Sequence, residues 1–130
     1  MMDPISDMLI RIKNAGLAGN DITVVPYSKL KFEIANLLQK TSYVKAFSVK
    51  GKKAGKRLEV EIAYRKDREP KIEEVERASK PSRRFYIGYK SLKPVRHGLG
   101  IAVLSTPGGV MTDEEAKKNK MGGELLFRIW

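Results

Sequence analysis

The sequence predicts an α+β fold of two small lobes: an N-terminal α/β lobe over residues 1–66, with two helices packed on a short sheet, and a mostly β C-terminal lobe over residues 67–130, with one short helix. Three observations carry this. Two helical apolar stripes fall in the first forty residues, period-two alternation dominates afterwards, and a charged, proline-ended stretch, RKDREP at 65–70, separates the two patterns as a linker would. A chain of 130 residues, 42% of them hydrophobic, suits one domain or two small ones and has the apolar surface for a core.

The elements follow in order. Asp3 is placed to N-cap a first helix with Pro4 at its first position, where the missing N–H costs nothing; Ile5, Met8, Leu9 and Ile12 then fall on one face and Gly16 is the expected stop. Ile22 to Val25 is a β-branched run broken by Pro26, and Ser28 is the expected cap of a second helix with Leu30, Ile34, Leu37 and Leu38 as its stripe. Tyr43–Val49 and Leu58–Tyr64 read as strands. In the second, Leu58, Val60, Ile62 and Tyr64 alternate with Glu59, Glu61 and Ala63. Their connector, KGKKAGKR at 50–57, has five positive charges and no acid, so a mobile, exposed hairpin loop is expected.

In the second lobe, Ile72–Ala78 is ambiguous between helix and strand. Arg84–Tyr89 reads as a strand with Phe85, Ile87 and Tyr89 toward the core and Arg84, Tyr86 and Gly88 away from it. Leu99–Leu104 and Glu124–Trp130 are further strands, the latter setting Leu125, Phe127 and Ile129 against Glu124, Leu126, Arg128 and Trp130. Between them Thr112 and Glu115 form a capping box, Asp113 and Glu114 suit the positive helix end, Lys117, Lys118 and Lys120 suit the negative end, and Gly122 is the expected terminator.

Chemistry is easier to exclude than to find. There is no cysteine, which removes disulfides and thiolate metal sites, and one histidine, His97, which cannot build a triad or a multi-histidine site. Ser28 and Lys31 match S-x-x-K without the companion motifs, and Ser28 is already assigned as a cap. Neither G-x-G-x-x-G nor a phosphate-binding G-x-x-x-x-G-K-[ST] occurs. No catalytic residue, metal or cofactor is therefore expected. The longest apolar run, Ile101–Leu104, is too short to cross a membrane, and the first residues resemble neither a secretory nor a transit signal, so a cytoplasmic protein is expected.

Charge points to a partner. Twenty-six Lys and Arg against fifteen Asp and Glu give +11, a surplus that attracts polyanions and makes nucleic acid the leading ligand. Lys50–Arg57 contributes +5 and the acid-free stretch Arg77–Thr112 contributes +7, leaving the rest of the chain at −1. Within the acid-free stretch Tyr86 shares a strand face with Arg84, a pairing suited to base stacking beside a cation; the plainer reading is a surface tyrosine chosen for β-propensity. Ser105-Thr106-Pro107-Gly108-Gly109 reads as a hydroxyl-bearing turn between a strand and the capped helix, either an approach for nucleic acid or an ordinary turn.

The segment GLGIAVLSTPGGVMTDEEAKKNKMGGELLFRIW strongly resembles the closing segment of the bacterial small-subunit ribosomal protein S-eight family. DPISDMLIRIKNA, VPYSKLKFEIANLL and KPSRRFYIGYK resemble its other hallmarks in the same order, so the likeness runs from Asp3 to Trp130. It implies a primary ribosomal RNA-binding protein that docks on a helix of the central domain of small-subunit RNA, promotes assembly, and holds RNA mainly through its C-terminal lobe. It implies that Ser105 and Thr106 contact unstacked bases, that Tyr86 beside Arg84 contributes a ring-face or hydroxyl contact, and that Glu124, after Gly122 and Gly123, supports the turn. Lys53 and Lys56 are picked as phosphate contacts, and Ile72–Ala78 becomes a strand. Neighbouring small-subunit proteins are implied partners, some family members act on their own messenger RNA, and a monomer is expected when free.

Two positions depart from the family pattern. Pro107 stands where serine is common; it lacks the hydroxyl and the backbone N–H, so a contact through that position is either apolar stacking or lost. Ile10 replaces a small hydroxyl residue, which removes a polar contact. The alternative reading is a general basic nucleic-acid-binding protein without a unique ribosomal RNA site.

Overall fold

The computed structural model describes residues 3–130, which divide into two compact units: Pro4–Glu73, and Asp3 with Glu74–Trp130. The division falls at 73/74 rather than at 66/67 because RKDREP is not a linker. It folds into a closed turn in which Arg65 N–H donates to the Glu69 carbonyl at 2.8 Å, Lys71 N–H donates to the Ala63 carbonyl at 3.1 Å, and Tyr64 pairs with Pro70. The next residue with a large apolar side chain, Ile72, is buried.

The N-terminal unit contains α1 (Pro4–Leu17), β1 (Ile22–Pro26), α2 (Lys29–Lys40), β2 (Val44–Lys50) and β3 (Arg57–Ile62). The strands form an antiparallel sheet in the order β1-β3-β2. The predicted α1 stripe, Ile5, Met8, Leu9 and Ile12, is buried, as are Ile34, Leu37 and Leu38 of α2. Ser28 caps α2 by accepting the Lys31 N–H at 3.1 Å. Gly16 does not stop α1. It is a buried helical residue whose added Cβ would lie 3.2 Å from Pro70 Cβ, and Gly19, at φ +74°, takes the left-handed position after the helix. The lysine connector is exposed throughout yet has defined geometry, a single 3₁₀ turn at Lys53–Gly55. Gly51, at φ +84°, has no room for a Cβ beneath the Gly55 carbonyl.

The C-terminal unit contains β4 (Val75–Arg77), β5 (Tyr86–Ile87), β6 (Ile101–Thr106), β7 (Gly109–Thr112), α3 (Asp113–Lys118) and β8 (Gly123–Ile129). Its antiparallel sheet runs β4-β8-β6-β7, with β5 also paired to β8. Leu92, Val95, Ala102, Leu104, Met111, Ala116 and Leu125 form a buried cluster. The α+β architecture is as expected. The strand expected over Ile72–Ala78 contracts to three residues, extended by a backbone exchange between Glu74 and Trp130 at 3.0 and 3.1 Å. Leu99 does not begin a strand; it is exposed and follows Arg96 and His97, both left-handed.

Two period-two readings fail for identifiable reasons. Leu126, expected to point outward, is buried because the register steps from Leu104–Leu125 to Val103–Phe127, leaving Leu126 as the extra residue of a bulge. Phe85, expected in the core, is exposed: its carbonyl still accepts the Leu125 N–H at 2.8 Å, but its own N–H turns to the Ser79 hydroxyl, so the regular ladder and its alternation stop at Tyr86. The capping box forms as expected: Glu115 N–H donates to Thr112 Oγ1 and Thr112 N–H to Glu115 Oε1, both at 3.2 Å. The helix terminates at Lys120, φ +53°, where Met121 N–H donates to the Ala116 carbonyl at 2.8 Å; Gly122 has a different task.

Candidate nucleic-acid interface

Ser105 and Thr106 do not lie in a strand-to-helix turn. They end β6, Pro107 and Gly108 alone make the connection, and Gly109 starts β7 opposite Thr106 at φ +111°. This β6–β7 hairpin was not legible because β7 has four residues, starts on glycine and runs directly into the N-cap of α3.

Antiparallel register then builds a row across four strands. Tyr86 on β5 is opposite Glu124 on β8, Glu124 is opposite Ser105 on β6, and Ser105 is opposite Val110 on β7. Directly opposed residues point to the same sheet face, so Tyr86, Glu124 and Ser105 stand side by side. Two glycines make the row possible. An added Cβ on Gly122 would lie 2.6 Å from the Ile87 carbonyl oxygen, and one on Gly123 would overlap the Ser105 carbonyl, so the start of β8 is wedged between β5 and β6 at backbone contact distance.

The side chains of the row are unequal. Tyr86 is 70% exposed and offers a free ring face. The Glu124 side chain is 14% exposed and accepts from Arg84 Nη1 at 3.1 Å, so its charge is compensated where a phosphate would otherwise be repelled. Arg84 remains half-exposed and has five donors in its fork, most of them unused by Glu124. Ser105 is half-buried and makes no side-chain hydrogen bond among the described residues, so its hydroxyl is available.

Thr106 behaves differently from Ser105. Its hydroxyl donates to the Gly109 carbonyl at 2.8 Å and accepts the Gly108 N–H at 3.1 Å, which fixes the hairpin connection. Pro107 sits exposed at the tip. Below it, Met121 fills the space against Gly108, its Sδ 3.9 Å from Thr106 Oγ1. Thr106 therefore shapes the turn and keeps only residual accepting capacity for a ligand.

Sequence reasoning missed Ser79. Fully buried, it accepts the Phe85 N–H at 2.8 Å and donates to the Phe85 carbonyl at 3.2 Å. Lys80 and Arg83 exchange backbone hydrogen bonds at 3.0 Å inside that loop, so Lys80–Arg84 is closed at its base and delivers Arg84 and Tyr86 to the row. The residue type gave a weak signal at most, a serine two residues before the turn-forming Pro81. In the acid-free stretch Arg77 is not free either: its guanidinium pairs with Asp3 at 3.0 Å and donates to the Leu126 carbonyl, which makes it a structural cation.

Lys53 and Lys56 are not part of this row; they belong to the β2–β3 hairpin of the other unit. Lys53 is exposed at φ +48°, and Lys56 Nζ lies 4.1 Å from the centre of the Tyr27 ring, a cation–π contact that holds the ammonium in place. No group of metal-ligating side chains occurs among the described residues, and no helix is long and apolar enough to cross a membrane.

Comparison with known proteins bears on the family of the chain. The family model described as ribosomal protein S8 matches residues 3–130. The chain is 46% identical over 129 residues to the small ribosomal subunit protein uS8 of Bordetella pertussis, covering 99% of this chain and 98% of that protein. It is 44% identical over 128 residues to the uS8 of Dictyoglomus thermophilum, covering 98% and 97%, and 42% identical over 130 residues to that of Kineococcus radiotolerans, covering 100% and 98%. The chain belongs to the ribosomal protein S8 family.

Proposed function

We propose that this protein is a structural constituent of the small ribosomal subunit that binds a distorted helix in the central domain of the small-subunit RNA and promotes assembly there. The observation that carries this is the cross-strand row Tyr86–Glu124–Ser105, with an exposed ring at one end, a free hydroxyl at the other and a carboxylate compensated by Arg84 between them. A-form RNA hides base edges in a narrow groove, so discrimination depends on unstacked bases. Tyr86 stacks on such a base, Ser105 donates to or accepts from a base edge or ribose, and Pro107 adds an apolar surface at the tip. Glu124 and Thr106 act through their neighbours: Glu124 orients Arg84, and Thr106 fixes the turn. Gly122 and Gly123 permit the close approach that keeps the row in register.

Lys53 and Lys56 supply sequence-blind phosphate contacts. On this reading the free protein is a monomer, and a similarly distorted helix in its own messenger would compete for the same row. Footprinting of the full chain on small-subunit RNA, with and without Tyr86→Ala, tests the proposal. Protection confined to one central-domain helix and weakened by Tyr86→Ala is expected. Diffuse protection, unchanged by the substitution, would favour a general basic nucleic-acid binder.

A further inference from the structure

The sheet of the N-terminal unit packs one face against α1 and α2, where Val25, Leu58 and Val60 are fully buried. Register defines the other face. Ile22, Glu61 and Ala46 make one cross-strand row, Val24, Glu59 and Ser48 the next, and Pro26, Arg57 and Lys50 the third. Ile22 and Val24 are 48% and 41% exposed, and a shallow depression of about 80 Å³ lies among Ile22, Ala46, Phe47, Ser48, Glu59 and Glu61, the Phe47 ring itself packing against Phe32 of α2. Among the described residues of this face Ser48 is exposed, while Ala46, Glu59 and Glu61 on it are half-buried.

Its charge is opposite to that of the molecule. In a chain of +11, Glu59 and Glu61 sit two residues apart on the central strand and pair with no cation among the described residues. The cation at the β1 edge, Arg11, is already engaged, with Asp7 at 3.2 Å and the Val24 carbonyl at 3.1 Å. Lys50 and Arg57 occupy only the last row. The first two rows therefore repel phosphate, and they carry no aromatic ring on which a base could stack. They suit a segment that offers aliphatic side chains to Ile22 and Val24 and ammonium or guanidinium groups to the two glutamates. Three rows on three strands span roughly 13 Å along the strands and roughly 10 Å across them, the footprint of one extended segment or helix rather than of a domain.

We propose that the outer face of β1-β3-β2 docks a basic, partly apolar segment of a neighbouring ribosomal protein, an interface chemically distinct from the RNA-binding row. The inference rests on membership in a ribosomal protein family and not on the RNA contacts proposed above.

The test uses the full chain assembled into small-subunit particles from ribosomal RNA and total small-subunit proteins. A benzophenone amino acid replaces Val24 in one preparation and Tyr86 in another. The Val24 position is expected to cross-link to a Lys- or Arg-rich protein segment, while the Tyr86 position cross-links to RNA. A cross-link from Val24 to RNA, to a segment without basic residues, or to nothing would overturn the proposal, whereas failure of the Tyr86 position alone counts against the RNA reading. A second arm combines Glu59→Lys with Glu61→Lys. The Val24 cross-link should fall about tenfold or more, as like charges meet across the interface, while affinity for an isolated central-domain RNA fragment does not fall, since added lysines favour phosphate. An undiminished cross-link would show that the glutamates do not recruit the partner.

Discussion

The two hairpins that carry the candidate RNA contacts are built by opposite means. The β6–β7 hairpin is over-determined: a two-residue connection, both hydrogen-bonding roles of the Thr106 hydroxyl, a left-handed Gly109, a methionine beneath it and, on the neighbouring β8, Gly123 pressed against the Ser105 carbonyl. The β2–β3 hairpin has five cations on an exposed 3₁₀ turn, with one ring contact from Lys56 to restrain it. On the proposed function, the difference separates selectivity from attraction. Selectivity requires groups held where only the right base meets them, while attraction requires only charge.

The largest effect should come from β8, whose first residue is pressed against the end of β6. Gly123→Ala forces a methyl group into the Ser105 carbonyl, and a loss of about 3 kcal/mol in urea unfolding, with cognate binding lost alongside, is expected. Native-like stability would mean that β5, β8 and β6 can separate freely, and the row would not be rigid. Tyr86→Ala should cost about 1–3 kcal/mol in cognate RNA affinity by titration while leaving unfolding within about 0.5 kcal/mol, because the ring is mostly exposed.

Thr106→Ala should lower stability by about 1 kcal/mol through the lost turn hydrogen bonds, with cognate affinity falling in step, and Thr106→Ser should restore both. A Thr106→Ala chain of native stability and lost affinity would instead place the hydroxyl on RNA. The smallest effect belongs to the second hairpin: Lys53→Ala should weaken all RNAs alike and reduce the slope of log affinity against log salt by about 0.7–0.9.

How much of this was legible in the sequence depends on the range of the interaction that decides each element. Local signals held. Ser28 caps α2, Thr112 and Glu115 close a capping box, and β3 buries its alternate residues, because propensity, capping and period act within a few residues. Long-range features did not. The Leu126 bulge exists only in relation to β6, Gly16 and Gly122 are glycines for space rather than termination, and RKDREP looks like a linker until Tyr64 finds Pro70. The site divides the same way. Tyr86 facing away from the core followed from strand period and Ser105 and Thr106 from family likeness, but the division of labour between the two hydroxyls needed β7, and Ser79 needed the loop it closes.

The direct measurement is the ratio of affinities for a cognate central-domain RNA fragment and an unrelated structured RNA of equal length, taken at one salt concentration for the unmodified chain, Tyr86→Ala and Lys53→Ala. Tyr86→Ala should lower that ratio about tenfold, and Lys53→Ala should leave it unchanged while weakening both affinities. A ratio that survives Tyr86→Ala and collapses with Lys53→Ala would contradict the division of selectivity and attraction between the cross-strand row and the β2–β3 hairpin.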